Sequence, residues 1–206
     1  MADVVLEDIE WCDLWFQNAP DKTGLPRVLQ IGDSISRGYY ATVSAGLKGV
    51  AELDRIATSR SLNDPCFEKE LRYVLTQYAY KLVHANNGLH GWGYTEEQYA
   101  AAFPQLLATL RQYAPKAKLI WATTTPVRQR DKLEQIDELT ARVQERNRIA
   151  AELVKKAGVP TDDLYSVVEK HPEYYRTDGV HFHAQGVSVL ADRVIDNVQK
   201  ALKAKP

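Results

Sequence analysis

The sequence predicts an α/β fold, a parallel sheet with helices packed on both faces, and three observations carry that prediction. Short apolar, β-branched runs alternate with longer amphipathic stretches along the chain, the pattern of repeated strand–helix units. The 206 residues are 45% apolar, enough for one domain spanning residues 1–206 to bury a sizeable core. The first strong apolar run, Val28 to Ile31, stops at Gly32-Asp33-Ser34, as a buried strand does when it delivers a serine onto a tight turn.

Residues 1–26 read as an N-terminal segment ahead of the sheet. Trp11, Trp15 and Phe16 fall within it; such aromatics either line a cleft or pack, and packing is their commoner fate. Ala19 to Pro26 then reads as a loop. Five strands follow, near Arg27–Ile31, Ala51–Ile56, Tyr80–Ala85, Lys118–Thr123 and, more weakly, Thr161–Leu164. Helical patterns fill the gaps: one from Ser34, then Asp64–Gln77, Thr95–Tyr113, Leu133–Ala157 and Ala184–Lys203. Thr95 with Gln98 makes a capping box at the third helix. Gly158 sits where a C-cap glycine ends the fourth, and Pro160 blocks its continuation.

Lys and Arg number 26 against 27 Asp and Glu, a net charge of −1, which offers no electrostatic case for nucleic acid or an anionic membrane. Met1 to Glu10 carries acids and no base, and no apolar run approaches ~18 residues. The expectation is neither signal peptide nor membrane span, hence a cytosolic protein, or a secreted one whose leader has been removed. Cys12 and Cys66 are too few for a disulfide framework and are expected as free thiols. Oligomeric state is not legible.

The chemistry gathers at Ser34. A serine hydroxyl is a poor nucleophile until a base accepts its proton, and that base needs an orienting acceptor. Asp178 and His181 can supply both from one loop: three residues of spacing let the carboxylate reach the imidazole nitrogen facing away from Ser34. Gly-Asp-Ser alone is a common turn and capping sequence, and Asp-x-x-His alone can be a loop hydrogen bond. A βα turn after the first strand and a loop before the last helix, however, converge at the carboxyl edge of a parallel sheet.

These residues resemble the SGNH, or GDSL-type, hydrolase family. Gly32-Asp33-Ser34-Ile35 is similar to its first motif, and Asp178-Gly179-Val180-His181-Phe182 with Gly186 to its last. Asn86-Asn87-Gly88-Leu89-His90-Gly91 and Leu119 to Pro126 resemble segments of one GDSL-like subgroup of esterases. The resemblance implies a flavodoxin-like, three-layer α/β/α sandwich with a five-stranded parallel sheet. It further implies an oxyanion hole of three donors: the Ser34 N–H, the N–H of a glycine after the second strand, and an asparagine side chain after the third.

The chain departs from that pattern twice. Ala57-Thr58-Ser59-Arg60-Ser61 replaces the glycine; a backbone N–H needs no glycine to donate, which leaves Ser59 or Arg60 for the role. After the third strand, Gly88-Leu89-His90-Gly91 puts His90 where the asparagine stands, while Asn87 would reach the site in a shifted register. The glycine spacing favours His90.

Asp33, Arg60, Trp92, Thr124 and Thr125 are candidate substrate-binding residues, with Arg37, Tyr39, Tyr40, Tyr94 and Arg128 expected to face the same crevice. Aromatic faces with polar tips suit a sugar ring, although the same rings would equally cap the sheet. The leading expectation is a short-chain carbohydrate O-acetyl esterase, acting on a small-molecule or glycan ester. A lysophospholipase or thioesterase of the same fold, and a carbohydrate-binding protein with little turnover, stand as alternatives. No cofactor is called for, and the histidines lack metal-ligand spacing.

Overall fold

The structure, a computed structural model, describes residues 4–204. Its elements in chain order begin with β1 (Cys12–Trp15), β2 (Arg27–Gly32), α1 (Ser34–Gly46), β3 (Glu52–Thr58) and α2 (Pro65–Leu75). Then come β4 (Tyr80–Ala85), α3 (Glu96–Tyr113), β5 (Lys118–Ala122), β6 (Arg128–Gln129) and β7 (Lys132–Ile136). The chain closes with α4 (Leu139–Lys156), β8 (Thr161–Asp162), α5 (Leu164–Val168) and α6 (Ala184–Lys203).

The main sheet runs β1-β3-β2-β4-β5-β8. Its last five members are parallel and coincide with the five strands the sequence predicts. Counted among themselves they follow the 2-1-3-4-5 order of flavodoxin-like sheets, whose switch point lies between the first and third. Here that point is the β2–β4 boundary, where Asn86 N–H bonds the Ile31 carbonyl (3.0 Å).

Alternation along each strand divides the core in two. Val28, Leu53, Leu82 and Ile120 face α1, α5 and α6, whereas Leu29, Ile56, Val83 and Trp121 face α2, α3 and much of α4. Burial on both faces explains why β2 reads as a near-continuous apolar run, whereas β3 buries Asp54 and Arg55 against the charged partners Arg27 and Asp13. The Thr95–Gln98 capping box is present, and Gly158 takes the left-handed conformation (φ +70) that lets the chain leave α4.

Two expectations are corrected. The sheet has six strands, because the N-terminal segment adds an antiparallel edge strand to β3, Cys12 opposite Thr58 and Trp15 opposite Arg55. Its acidic and aromatic composition carries no strand alternation; pairing of its backbone groups with the open β3 edge makes it a strand. The fourth helix starts at Leu139, not Leu133, because 128–136 forms the β6–β7 hairpin. Asp131 adopts φ +60 at its turn. Asp137 then accepts the Leu139 N–H (3.0 Å), and Thr140 Oγ1 both donates to and accepts from Val127.

Candidate active site

Ser34 is the first residue of α1, directly beyond β2. Asp33 caps that helix, its side chain accepting the Ile35 N–H (2.8 Å), a contribution of about 1 kcal/mol. Ser36 Oγ donates to the Asp33 carbonyl and Gln30 Nε2 to the Ser36 carbonyl, both at 2.8 Å, so buried polar bonds hold the turn on both sides. The Ser34 N–H belongs to the first helical turn, whose donors have no partner within the helix.

His181 Nε2 lies 2.8 Å from Ser34 Oγ, and His181 Nδ1 lies 3.0 Å from Asp178 Oδ2. The other Asp178 oxygen accepts the backbone N–H groups of Val180 and His181, both at 2.8 Å. Partial burial opposes the charge on Asp178, yet these bonds together with the imidazole hold its carboxyl below the ordinary carboxylate value. The ring nitrogen facing Ser34 is therefore the one positioned to accept a proton.

The loop carrying this pair is braced from two directions. Tyr175 bridges to Phe182, with ring centroids 4.5 Å apart, and Arg176 N–H bonds the His181 carbonyl (2.7 Å). The β6–β7 hairpin contributes Arg128 N–H to the Gly179 carbonyl and Asp131 N–H to the Thr177 carbonyl, both at 2.8 Å. A hairpin whose second strand sequence periodicity places at the start of a helix thus supports the Asp178 loop through its first strand and turn.

A cleft of about 220 Å³ opens beside Ser34 and His181, lined among others by Arg37, Tyr39, Arg176, Phe182 and Leu190. Arg37 and Tyr39 were expected there. Arg176, exposed on an irregular loop, carries no sequence signal that would have found it. Several candidate contacts lie elsewhere. Thr124, Thr125 and Asp33 are buried around a small space behind the nucleophile turn; Thr124 Oγ1 accepts from Asn86, and its N–H bonds Asn147. Arg60 is tied to Asp64 (2.6 Å). Trp92 lies under the guanidinium groups of Arg142 and Arg146. The Tyr40 hydroxyl bonds the Leu53 carbonyl, the Tyr94 hydroxyl accepts the Val5 N–H, and Arg128 bonds the carbonyls of Leu133 and Glu169. These groups are committed to the fold, because a buried polar atom must find a partner.

The expected oxyanion donors are also redistributed. Ser59 N–H bonds the Trp11 carbonyl (3.1 Å), continuing the β1–β3 ladder, and Ser59 Oγ donates to Glu10 (2.6 Å). Arg60 N–H bonds Thr58 Oγ1 (3.1 Å). Asn87 Nδ2 commits one of its two hydrogens to the Arg60 carbonyl (2.7 Å), so the Ser59 and Arg60 N–H groups are both engaged and Asn87 is tied to the β3 loop. Gly88 packs its Cα against Thr124; a Cβ there would lie 2.3 Å from Thr124 Oγ1.

His90 differs. Its Nδ1 meets the Glu7 carboxylate at 2.9 Å, and Glu7 also accepts the Gly91 N–H (3.0 Å). Its Nε2 is buried and has no hydrogen-bond partner among the described residues. Arg146, itself buried, pins the loop from behind through the carbonyls of Gly88 (3.0 Å), His90 (2.6 Å) and Gly91 (3.1 Å).

A mostly parallel α/β sheet with a serine, histidine and aspartate in one hydrogen-bonded line at its carboxyl edge defines the serine hydrolase class of arrangement. The chain belongs to the GDSL-like lipase/acylhydrolase family, whose sequence pattern matches residues 31–189, and it is an ester hydrolase of that type. Solved structures agree on the fold. The aryl esterase of M. smegmatis superposes with a TM-score of 0.70 at 18% identity, covering 85% of this chain and 99% of its own. A carbohydrate acetylesterase from Sinorhizobium meliloti gives 0.70 at 15%, covering 85% and 99%. A carbohydrate esterase family 3 protein from Talaromyces cellulolyticus gives 0.67 at 16%, covering 88% and 100%. No curated protein sequence matches significantly. Among the described residues no helix is long and apolar enough to cross a membrane.

Proposed function

We infer that this chain is a serine esterase removing short acyl groups, with O-acetylated carbohydrate as its substrate class. The carrying observation is the line from Asp178 through His181 to Ser34 (3.0 and 2.8 Å) opening onto a cleft of about 220 Å³. Ser34 Oγ attacks the ester carbonyl while His181 Nε2 takes its proton, and Asp178 stabilises the imidazolium. His181 then gives that proton to the leaving alcohol oxygen, forming an acyl-enzyme. Water attacks the acyl group through the same base, and the proton returns to Ser34 as the acid departs. The Ser34 N–H donates to the oxyanion, an interaction of a kind whose loss costs about 3 to 4 kcal/mol of transition-state stabilisation.

The cleft is smaller than the roughly 300–1,000 Å³ usual for drug-sized ligands, which favours acyl groups of a few carbons over long chains. Arg37 and Arg176 put donors at its mouth, in keeping with a hydroxyl-rich alcohol. Two proteins of the same fold, by name, are carbohydrate esterases.

The test is hydrolysis of p-nitrophenyl esters of increasing chain length by wild type and Ser34→Ala, followed by acetate release from acetylated glycans. Turnover that peaks at acetate and disappears in the variant is expected. Preference for long acyl chains would instead favour a lysophospholipase or thioesterase, and glycan binding without Ser34-dependent turnover would favour a binding protein.

A further inference from the structure

We propose that Arg37 and Arg176 form a carboxylate-binding subsite at the mouth of the Ser34 cleft, so that the alcohol part of the preferred ester carries an acid group; this deepens the serine esterase reading above and rests on it. Three observations lead there.

The first is where the two cations stand. Arg37 lies one helical turn beyond Ser34 on α1, and Arg176 belongs to the loop of the base, its N–H bonding the His181 carbonyl (2.7 Å). Both line the cleft that Ser34 and His181 share. Each half of the reacting pair thus brings a guanidinium from its own segment. The two arginines are exposed, whereas Ile35, Tyr39, Phe182 and Leu190 of the same cleft are buried. The apolar groups make its floor and the arginines its rim.

The second is that their charge is not cancelled. Among the described residues no Asp or Glu lines this cleft. Asp178 is committed to the His181 ring and to two backbone N–H groups, and Asp33 is buried at the cap of α1. Asp13 Oδ2 lies 4.0 Å from Arg37 Nη1 but 2.8 Å from Arg55 Nη2, so its charge serves Arg55 first. Arg176 makes no ion pair among the described residues. In a chain whose net charge is −1, two uncompensated cations beside the nucleophile are a local excess, and a cleft lined by one sign of charge draws the opposite sign.

The third is preorganisation. The Trp11 ring packs against Arg37, whose Cζ is 4.8 Å from the ring centroid, and this contact restrains the guanidinium. The backbone bond to His181 fixes where the Arg176 side chain starts. A guanidinium presents paired N–H donors that match the two oxygens of a carboxylate. The buried apolar floor suits the methyl of an acetyl group, which leaves the rim to the alcohol. The acid therefore belongs to the alcohol part, and Arg37 and Arg176 are specificity-determining residues.

The probes are 3-acetoxybenzoate and its methyl ester, which differ in charge and little in shape, with hydrolysis by hydroxide as the reference for intrinsic reactivity. Wild type should favour the anion in kcat/KM by about tenfold after that correction, two exposed ion pairs giving up to about fivefold each. Arg37→Gln and Arg176→Gln should each cut the preference by about threefold, and the double variant should abolish it. The methyl ester should lose less than about threefold in either single variant. Raising salt from about 0.02 to 0.5 M should erode the preference in wild type and not in the double variant, because exposed charges are screened. No wild-type preference for the anion, a preference that survives the double substitution, or equal losses on both esters overturns the proposal, the last because the arginines would then serve the ester itself. Mono-p-nitrophenyl glutarate against p-nitrophenyl butyrate places the acid on the acyl side; an arginine-dependent preference there, with none for 3-acetoxybenzoate, overturns the assignment to the alcohol. Turnover dependent on Ser34 but indifferent to both arginines overturns the subsite alone; turnover that survives Ser34→Ala overturns the esterase reading beneath it as well.

Discussion

Asp178 holds His181 at two places, its Oδ1 accepting the backbone N–H at 2.8 Å and its Oδ2 meeting ring Nδ1 at 3.0 Å. The carboxylate therefore fixes both where the histidine begins and how its ring turns. Asp178→Asn keeps the volume but replaces an acceptor by an amide that can donate, so the ring loses its tautomer preference. A fall in kcat of ~10³–10⁴-fold with KM within a few-fold is expected, read from steady-state ester hydrolysis; a loss below tenfold would show that the ring is oriented by other means.

Gly179 stands between that aspartate and its histidine with φ +75, and a Cβ there would lie 2.0 Å from the Arg128 carbonyl oxygen. The obstacle is backbone, which cannot swing aside. Gly179→Ala should cost at least about 1–3 kcal/mol in strain, lowering Tm by ~2–4 °C per kcal/mol, and should reduce kcat by displacing Asp178. Gly24→Ala is the control, since Gly24 shares the positive φ (+68) but has open space around it. Equal behaviour of the two variants in thermal melts would refute the clash.

Arg146 is buried and serves three carbonyls of the His90 loop as well as Glu96 (3.2 Å). Its removal leaves that loop's acceptors without their donor. Arg146→Met should lower stability by about 3–5 kcal/mol, visible as a shifted urea midpoint. Arg146→Lys should not restore it, because a single ammonium cannot reproduce the planar fork.

The Glu7–His90 pair should make the docking of the N-terminal segment depend on pH. Burial works against both charges, but their mutual bond leaves Glu7 below 4.5 and His90 above 6.5. Sign by sign, the Glu7 contribution is complete above 4.5 and lost as pH falls through its depressed value. The His90 contribution is complete below 6.5 and lost as pH rises through its elevated value. Hydrogen exchange of residues 4–11, corrected for intrinsic rates, should show greatest protection between those limits, and Glu7→Gln should flatten the profile. A wild-type profile already flat would mean that the pair does not anchor the segment.

The five parallel strands and the Asp178–His181 pair were legible because each rests on local information: an apolar run ending in a turn, or two polar residues three apart; Ser34 meets His181 across 147 positions and was placed by its turn at the carboxyl end of the first parallel strand. The hairpin at 128–136 was not, since Leu133 and Ile136 are spaced as on a helix and only contacts with Val127, Gly179 and Thr177 decide otherwise. Thr124 and Thr125 follow the correct strand yet turn inward, a distinction that spacing cannot make. Glu7 and Arg146 meet the His90 loop across 83 and 56 positions. Either one, read locally, is a charge on a solvated face.

Trp11 and Cys12 come before every residue of the parallel sheet, yet their partners lie at Ser59 and Thr58. During synthesis this first-made strand has no edge to join until β3 has emerged and paired with β2. The sheet can meanwhile grow outward from its centre, and the edge closes late. Folding and chain order thus run in opposite directions at this end of the molecule.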